Sequence, residues 1–226
     1  MNNTKFYYLY SILSTTALSF FNPILYIYLL SKDFSFTEVG LYLSIFWLVS
    51  FMTELPCGAI TDNIGAKNSI LLSVIFRVVG LILLLSNSLI LLYISAILSA
   101  IAESFQSGTL TSWLINVNNK NNEEIDIDKV FSRTSLYALF FSAVIGFISA
   151  KYVYVYYKSL SIIFSMSIFI ISFLFTYLFM KKLEQTQKIS IENLKGSIVT
   201  VKNSLKETLY VKSSVFLMIL FVIPSI

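Results

Sequence analysis

Three ionisable side chains, Glu54, Arg77 and Glu103, stand inside long apolar stretches of this 226-residue chain. A charge at mid-bilayer costs about 2.5–3.5 kcal/mol unless it is paired or reaches water. Glu54 lies eight residues before Asp62, and Arg77 eight after Ser69. At 1.5 Å per helical residue, both sit roughly 12 Å from the same polar boundary. Glu103, ten residues before Trp113, lies roughly 15 Å in, near the midplane. Arg77 can pair with either carboxylate but cannot fully neutralise both. The unpaired one must bind a proton or face a water-filled cavity. Loading a proton from one side and releasing it to the other is the chemistry of a proton-coupled carrier, and a static network of all three groups is the bland alternative. Asn22, Gln106 and Ser107 are weaker polar candidates, because polar residues in bundles more often bind neighbouring helices.

The elements that must hold these residues are transmembrane helices. The chain is 57% hydrophobic and only 12% charged, against about 25% charged in soluble domains. Apolar stretches long enough to cross a bilayer recur at Phe6–Leu30, Val39–Ile60, Ser69–Leu85, Leu89–Ile115, Ser135–Val153 and Leu160–Met180. Asn22-Pro23 predicts a kink in the first. Ser86-Asn87-Ser88 forces a tight hairpin between the third and fourth, and the polar stretch Asn116–Lys129 reads as a loop. The predicted fold is all-α and integral to the membrane, with a six-helix bundle over residues 1–183.

Lysine and arginine placement predicts orientation. With the N-terminus cytoplasmic, Lys5, Lys67, Lys120, Lys129, Arg133 and the seven lysines from Lys181 to Lys212 face inside, leaving Lys32, Lys151 and Lys158 outside. That is a positive-inside bias. Tyr7, Tyr8 and Tyr10 at one end and Tyr152, Tyr154, Tyr156 and Tyr157 at the other fit interfacial aromatic belts. Over 184–209, Ile191, Leu194, Ile198, Val201, Leu205 and Leu209 recur at steps of three and four, which predicts a basic amphipathic linker on the cytoplasmic leaflet. Residues 210–226 read as the start of a seventh helix, too short to cross.

The loop between the second and third stretches is more specific. Gly58-Ala-Ile-Thr-Asp62-Asn-Ile-Gly65-Ala66-Lys67 resembles the G-x-x-x-D-x-x-G-[R]-[RK] signature of major facilitator superfamily transporters. The preceding Glu54-x-Pro56-x-Gly58 is similar to the form in bacterial efflux-type members. Glu103-x-x-Gln106-Ser107-Gly108 through Asn116 resembles a further family motif in the fourth span. The resemblance covers about residues 1–220, the N-terminal half of a family member. Gly58 is expected to let its helix approach a neighbour closely, Gly65 to permit a turn closed to larger residues, and Asp62 to latch one end of the bundle by meeting a cation or a helix N-terminus. Ala66 replaces the usual arginine, leaving Lys67 as the loop's cation, and the fourth span lacks the Arg-x-x-Gln-Gly of proton-coupled members. The fifth has the small pair Gly146 and Ala150 without the Gly-Pro pattern of drug antiporters.

The resemblance implies a secondary transporter of a small molecule working by alternating access, with proton-coupled drug or antibiotic efflux as the branch expectation. It places the fourth span on the central cavity, so Glu103 becomes the site for the proton or a substrate cation, with Glu54 and Arg77 as a structural pair. The implied partners are the lipid bilayer, a small-molecule substrate and a missing C-terminal six-helix half. The implied location is a bacterial plasma membrane. An inactive fragment, or a half needing a separate C-terminal chain, is the competing expectation, and a sensor or assembly protein a third. The +4 net charge is too small to suggest nucleic acid. No histidine and one cysteine, Cys57, leave no disulfide and no ordinary zinc site. No nucleophile elbow, phosphate-binding glycine loop or histidine base points to an enzyme, and no cofactor is expected beyond a proton gradient.

Overall fold

A computed structural model describes residues 2–121 and 126–180; the linker expected over 184–209 and the seventh helix over 210–226 lie outside the described residues. The regular secondary structure of the described chain is all helical, and six of its segments are long and apolar enough to cross a membrane. The first combines α1 (Asn3–Phe21), a 3₁₀ turn (Asn22–Ile24) and α2 (Leu25–Leu30). The second is α3 (Phe36–Ile64) and the third α4 (Ala66–Leu84). The fourth joins α5 (Leu89–Gln106) to α6 (Thr109–Asn121), and the fifth joins α7 (Ile127–Ile148) through a π-helical turn (Ser149–Val153) to α8 (Tyr154–Tyr156). The sixth is α9 (Leu160–Phe179).

The expected kink falls at Asn22–Ile24. Proline lacks the N–H that would bond four residues back, so carbonyls near Ser19 and Phe20 need other partners. Pro23 seats against the fifth span, where a Cβ on Gly146 would stand 3.2 Å from its Cγ. Nearby, the Ser149 hydroxyl donates to the Phe20 carbonyl and lies 2.9 Å from the Ser161 hydroxyl, tying three spans together. The loop expected over 116–129 is shorter than read. The fourth span breaks at Ser107-Gly108 and stays helical to Asn121, and the fifth begins at Ile127. Asp126 makes that early start by accepting the Lys129 N–H at 3.0 Å, an N-cap.

Packing follows a simple order. α3 packs on α5, α5 on α4, α4 on α9, α9 on α1 and α1 on α7. By span this reads second, fourth, third, sixth, first, fifth. Advancing each by three spans around the six returns the same order reversed, so spans one to three and four to six form two like repeats. An odd number of crossings per repeat sets them upside down with respect to each other, the architecture of many carriers.

Side chains fill the bundle in two separate cores. One gathers Phe6, Tyr10, Ile70, Leu110, Trp113 and Met180 around the end that holds the N-terminus. The other, toward the opposite end, includes Ala17, Phe21, Tyr42, Val74, Leu81 and Phe169. The expected belt at the N-terminal end is thereby corrected, since Tyr7 and Tyr10 are buried. They belong to an inward stripe, Phe6-Tyr10-Ser14-Ala17-Phe21, spaced for one helical face. Tyr152, Tyr156 and Tyr157 at the other end are exposed, as a belt requires.

Candidate functional site

Between the two cores lies a polar layer, and Arg77 and Glu103 meet in it. Arg77 on α4 and Glu103 on α5 form an ion pair through Nη2 and Oε2. Their helices are joined by a tight hairpin and touch almost backbone to backbone, because Gly80 faces Ser99. A Cβ at Gly80 would stand 2.7 Å from the Ser99 Oγ and 3.3 Å from the Ser95 carbonyl. This close approach brings a guanidinium on one helix to a carboxylate on the next.

The pair is asymmetric. The Arg77 side chain is 4% exposed and that of Glu103 41%. Buried Tyr10 and Tyr42 stand within electrostatic reach of the guanidinium. Among the described residues, neither the Arg77 Nε nor the Tyr10 hydroxyl has a hydrogen-bond partner. Glu103 opens away from the outer surface of its helix. Ile90, Ile94 and Ile97 mark the exposed apolar stripe of α5. At 100° per residue Glu103 is rotated about 120–180° from each of them, onto the side that carries Gln106. Gln106 donates to the Ser14 hydroxyl of α1 at 2.5 Å. Just beyond it, Gly108 at φ +67° redirects the chain so that α6 packs against α1. Glu103 thus sits one helical turn from the point where the first and fourth spans are pinned together.

The expected partner of Arg77 is corrected by this arrangement. Glu54 is exposed on α3, whereas its neighbours in sequence face α5. The Thr53 and Ser104 hydroxyls are 2.8 Å apart, and the Ser104 hydroxyl reaches the Ser50 carbonyl at 3.1 Å. One residue further on, Glu54 is turned about 100° from that contact. Depth along a helix places two groups at one level, but rotation about the axis decides whether they meet.

The loop residues divide likewise. Gly65 has φ +84° and ψ 152°, a region essentially closed to other residues, so the expected turn is present. Gly58 makes no close approach among the described residues, with nothing within 4 Å of a Cβ built on it. Asp62 is exposed, without an ion pair or side-chain hydrogen bond among the described residues. Lys67 reaches further than its sequence setting suggests. Its Nζ donates to the Tyr177 carbonyl in the last turn of α9 at 2.7 Å and lies 5.5 Å from that ring's centroid. A cation at a helix C-terminus meets the negative end of the dipole. Asn22 and Ser107 are exposed at the two breaks, away from the ion pair. Ser14, Gly80, Tyr10 and Tyr42 join the site beyond the sequence expectations; the spacing of the α1 stripe is the signal in the sequence that carries Tyr10 and Ser14.

A six-span membrane bundle of two inverted repeats, with a half-exposed carboxylate on a buried arginine, defines a polytopic membrane protein with the makings of a solute carrier. The chain belongs to the Major Facilitator Superfamily, whose family profile matches residues 7–226. It is 27% identical over 206 residues to an uncharacterised MFS-type transporter, YxaM, of Bacillus subtilis strain 168, an alignment covering 88% of this chain and 49% of that protein. The chain spans about half the length of the curated relative it matches. These likenesses place the chain in a family of membrane transporters.

Proposed function

We propose that this chain is the N-terminal six-span half of a secondary active transporter, and that Glu103 is its proton-loading or substrate-cation site. The observation that carries the reading is the asymmetry of the ion pair: a buried arginine held by a carboxylate that is 41% exposed. A solvent-reached carboxylate can exchange its counter-ion for a proton or an organic cation, whereas a fully buried pair cannot do so without unfolding its surroundings. Protonating Glu103 would leave Arg77 uncompensated in the bundle, an energetic drive toward a second conformation. Alternating access then runs by rocking this bundle against a second one around the midplane. We infer proton-coupled export of a drug-like organic cation across a bacterial plasma membrane, with the N-terminus cytoplasmic; Glu103 supplies the attraction for a cation, and the lysine distribution supports the orientation.

The half-length match to YxaM supports a companion statement. The chain acts with a second six-span half, joined to it or supplied separately, and carries nothing alone. The test reconstitutes this chain with such a half in liposomes and follows ethidium movement under an imposed proton gradient. Gradient-driven movement that is lost in Glu103→Gln and kept in Glu54→Gln is expected. Full activity in Glu103→Gln would sink the assignment of the site, and movement by this chain alone would sink the requirement for a second half.

A further inference from the structure

At the end of the bundle away from the N-terminus, the polar turns surround a cavity of about 500 Å³. Tyr28 and Lys32 close it from the first span, Asn87 from the hairpin between the third and fourth, and Tyr157, Lys158 and Ser159 from the turn before the sixth. Among the described residues two lysines line it and no carboxylate does. Lys32 is fixed in the wall, its Nζ donating to the carbonyls of Leu84, Leu85 and Ser86 at 3.2, 2.7 and 2.6 Å. Those bonds consume its protons but leave its charge, and burial pulls its pKa below the ordinary value. Lys158 is exposed and has no hydrogen bond or ion pair among the described residues. The Tyr28 and Ser159 hydroxyls, 3.4 Å apart, and the Asn87 amide add donors to the same walls. Apolar surface adjoins the opening: Val155 is 74% and Tyr156 88% exposed.

We propose that this cavity is a binding site for the headgroup of an anionic phospholipid. The phosphodiester lies between Lys158 and the Tyr28–Ser159 hydroxyls, in the field of Lys32, and the glycerol and first methylenes run along Val155 and Tyr156. A free phosphate would find the same donors, but it would gain nothing from the exposed apolar rim at the level of the aromatic belt. The lipid therefore fits the whole surface and the free ion only part of it. The site lies at the opposite end of the bundle from Lys67 and does not depend on the transport reading.

The test places a fluorescent reporter at the rim. Tyr156→Trp is introduced together with Trp47→Phe into the full chain, reconstituted in phosphatidylcholine bilayers, with the Trp47→Phe chain alone as background for Trp113. Quenching is compared for equal small fractions of brominated phosphatidylglycerol and brominated phosphatidylcholine. Phosphatidylglycerol is expected to quench the reporter several-fold more strongly, and Lys158→Gln to cut that preference by roughly fivefold, the value of one basic residue at a lipid surface. Lys158→Arg should restore it. Equal quenching by the two lipids, or a preference that survives Lys158→Gln, would overturn the proposal. Loss of the preference when inorganic phosphate is added in excess at matched ionic strength would also overturn it, in favour of a free-anion site. Lys158 is exposed and its side chain makes no bond among the described residues, so its substitution is expected to leave the fold intact and the comparison interpretable.

Discussion

The bundle carries a lysine at each end that caps a neighbouring helix, and the two are built to different strengths. Lys32 closes the last turn of α4 with three carbonyl bonds. Lys67 closes the last turn of α9 with one, from an exposed position. The adjoining turns differ as well. Lys32 is followed by Asp33 at φ +66°, while Lys67 follows Gly65 at φ +84° and ψ 152°. The first conformation is one that aspartate tolerates, and the second is nearly restricted to glycine. One end is locked by many bonds on a permissive backbone, the other by a demanding backbone and a single bond. In the transport cycle we propose, a joint that opens and closes is better served by the second design, since one exposed hydrogen bond is cheaply broken and a fixed turn returns the parts to register.

The polar layer between the ends sets the scale on which to test this contrast. Glu103→Ala should destabilise most, by about 3 kcal/mol, because it strands a buried guanidinium. Thermal unfolding in detergent checks it, and a double-mutant cycle should show strong coupling of Glu103 to Arg77 with additivity for Glu54 and Arg77. Lys32→Met should follow at about 2–3 kcal/mol, since three carbonyls lose their donor; a loss no greater than that at Lys67 would erase the asymmetry. Gly65→Ala should cost about 2 kcal/mol through backbone strain alone. Lys67→Gln should cost under about 1 kcal/mol in stability yet change transport in the reassembled carrier, and a silent transport assay would refute the opening joint. Asp33→Gly should be smallest, a change of about 0.5 kcal/mol or less, because relief of the left-handed backbone offsets the added freedom of the unfolded chain.

Much of this architecture was legible in the residues. Six spans follow from apolar length, the kink from Asn22-Pro23, and the tight turn from Gly65, because each is a property of one short segment. What escaped depended on rotation about helix axes or on distant contacts. Glu54 and Arg77 share a depth, yet Ser50 and Thr53 take the face that meets α5 and leave Glu54 outside. Gly80 and Gly146 matter through Ser99 and Pro23, which no local pattern names. The helical continuation through Asn116–Asn121 was hidden by its polarity, which marks the end of a membrane crossing and not of a helix. Lys67 was recognised as the cation of its loop, but its acceptor lies 110 residues away.

The break in the first span also has a clock. The Phe20 carbonyl, freed where the chain passes Pro23, receives its bond from Ser149, 129 residues later. At about 5–20 residues per second, roughly 6–26 s of synthesis separate the two. Until the fifth span arrives, the first lacks the Ser149 donor to its Phe20 carbonyl and the glycine that receives its proline. Gly146 and Ser149 therefore set when the kinked first helix reaches its final contacts.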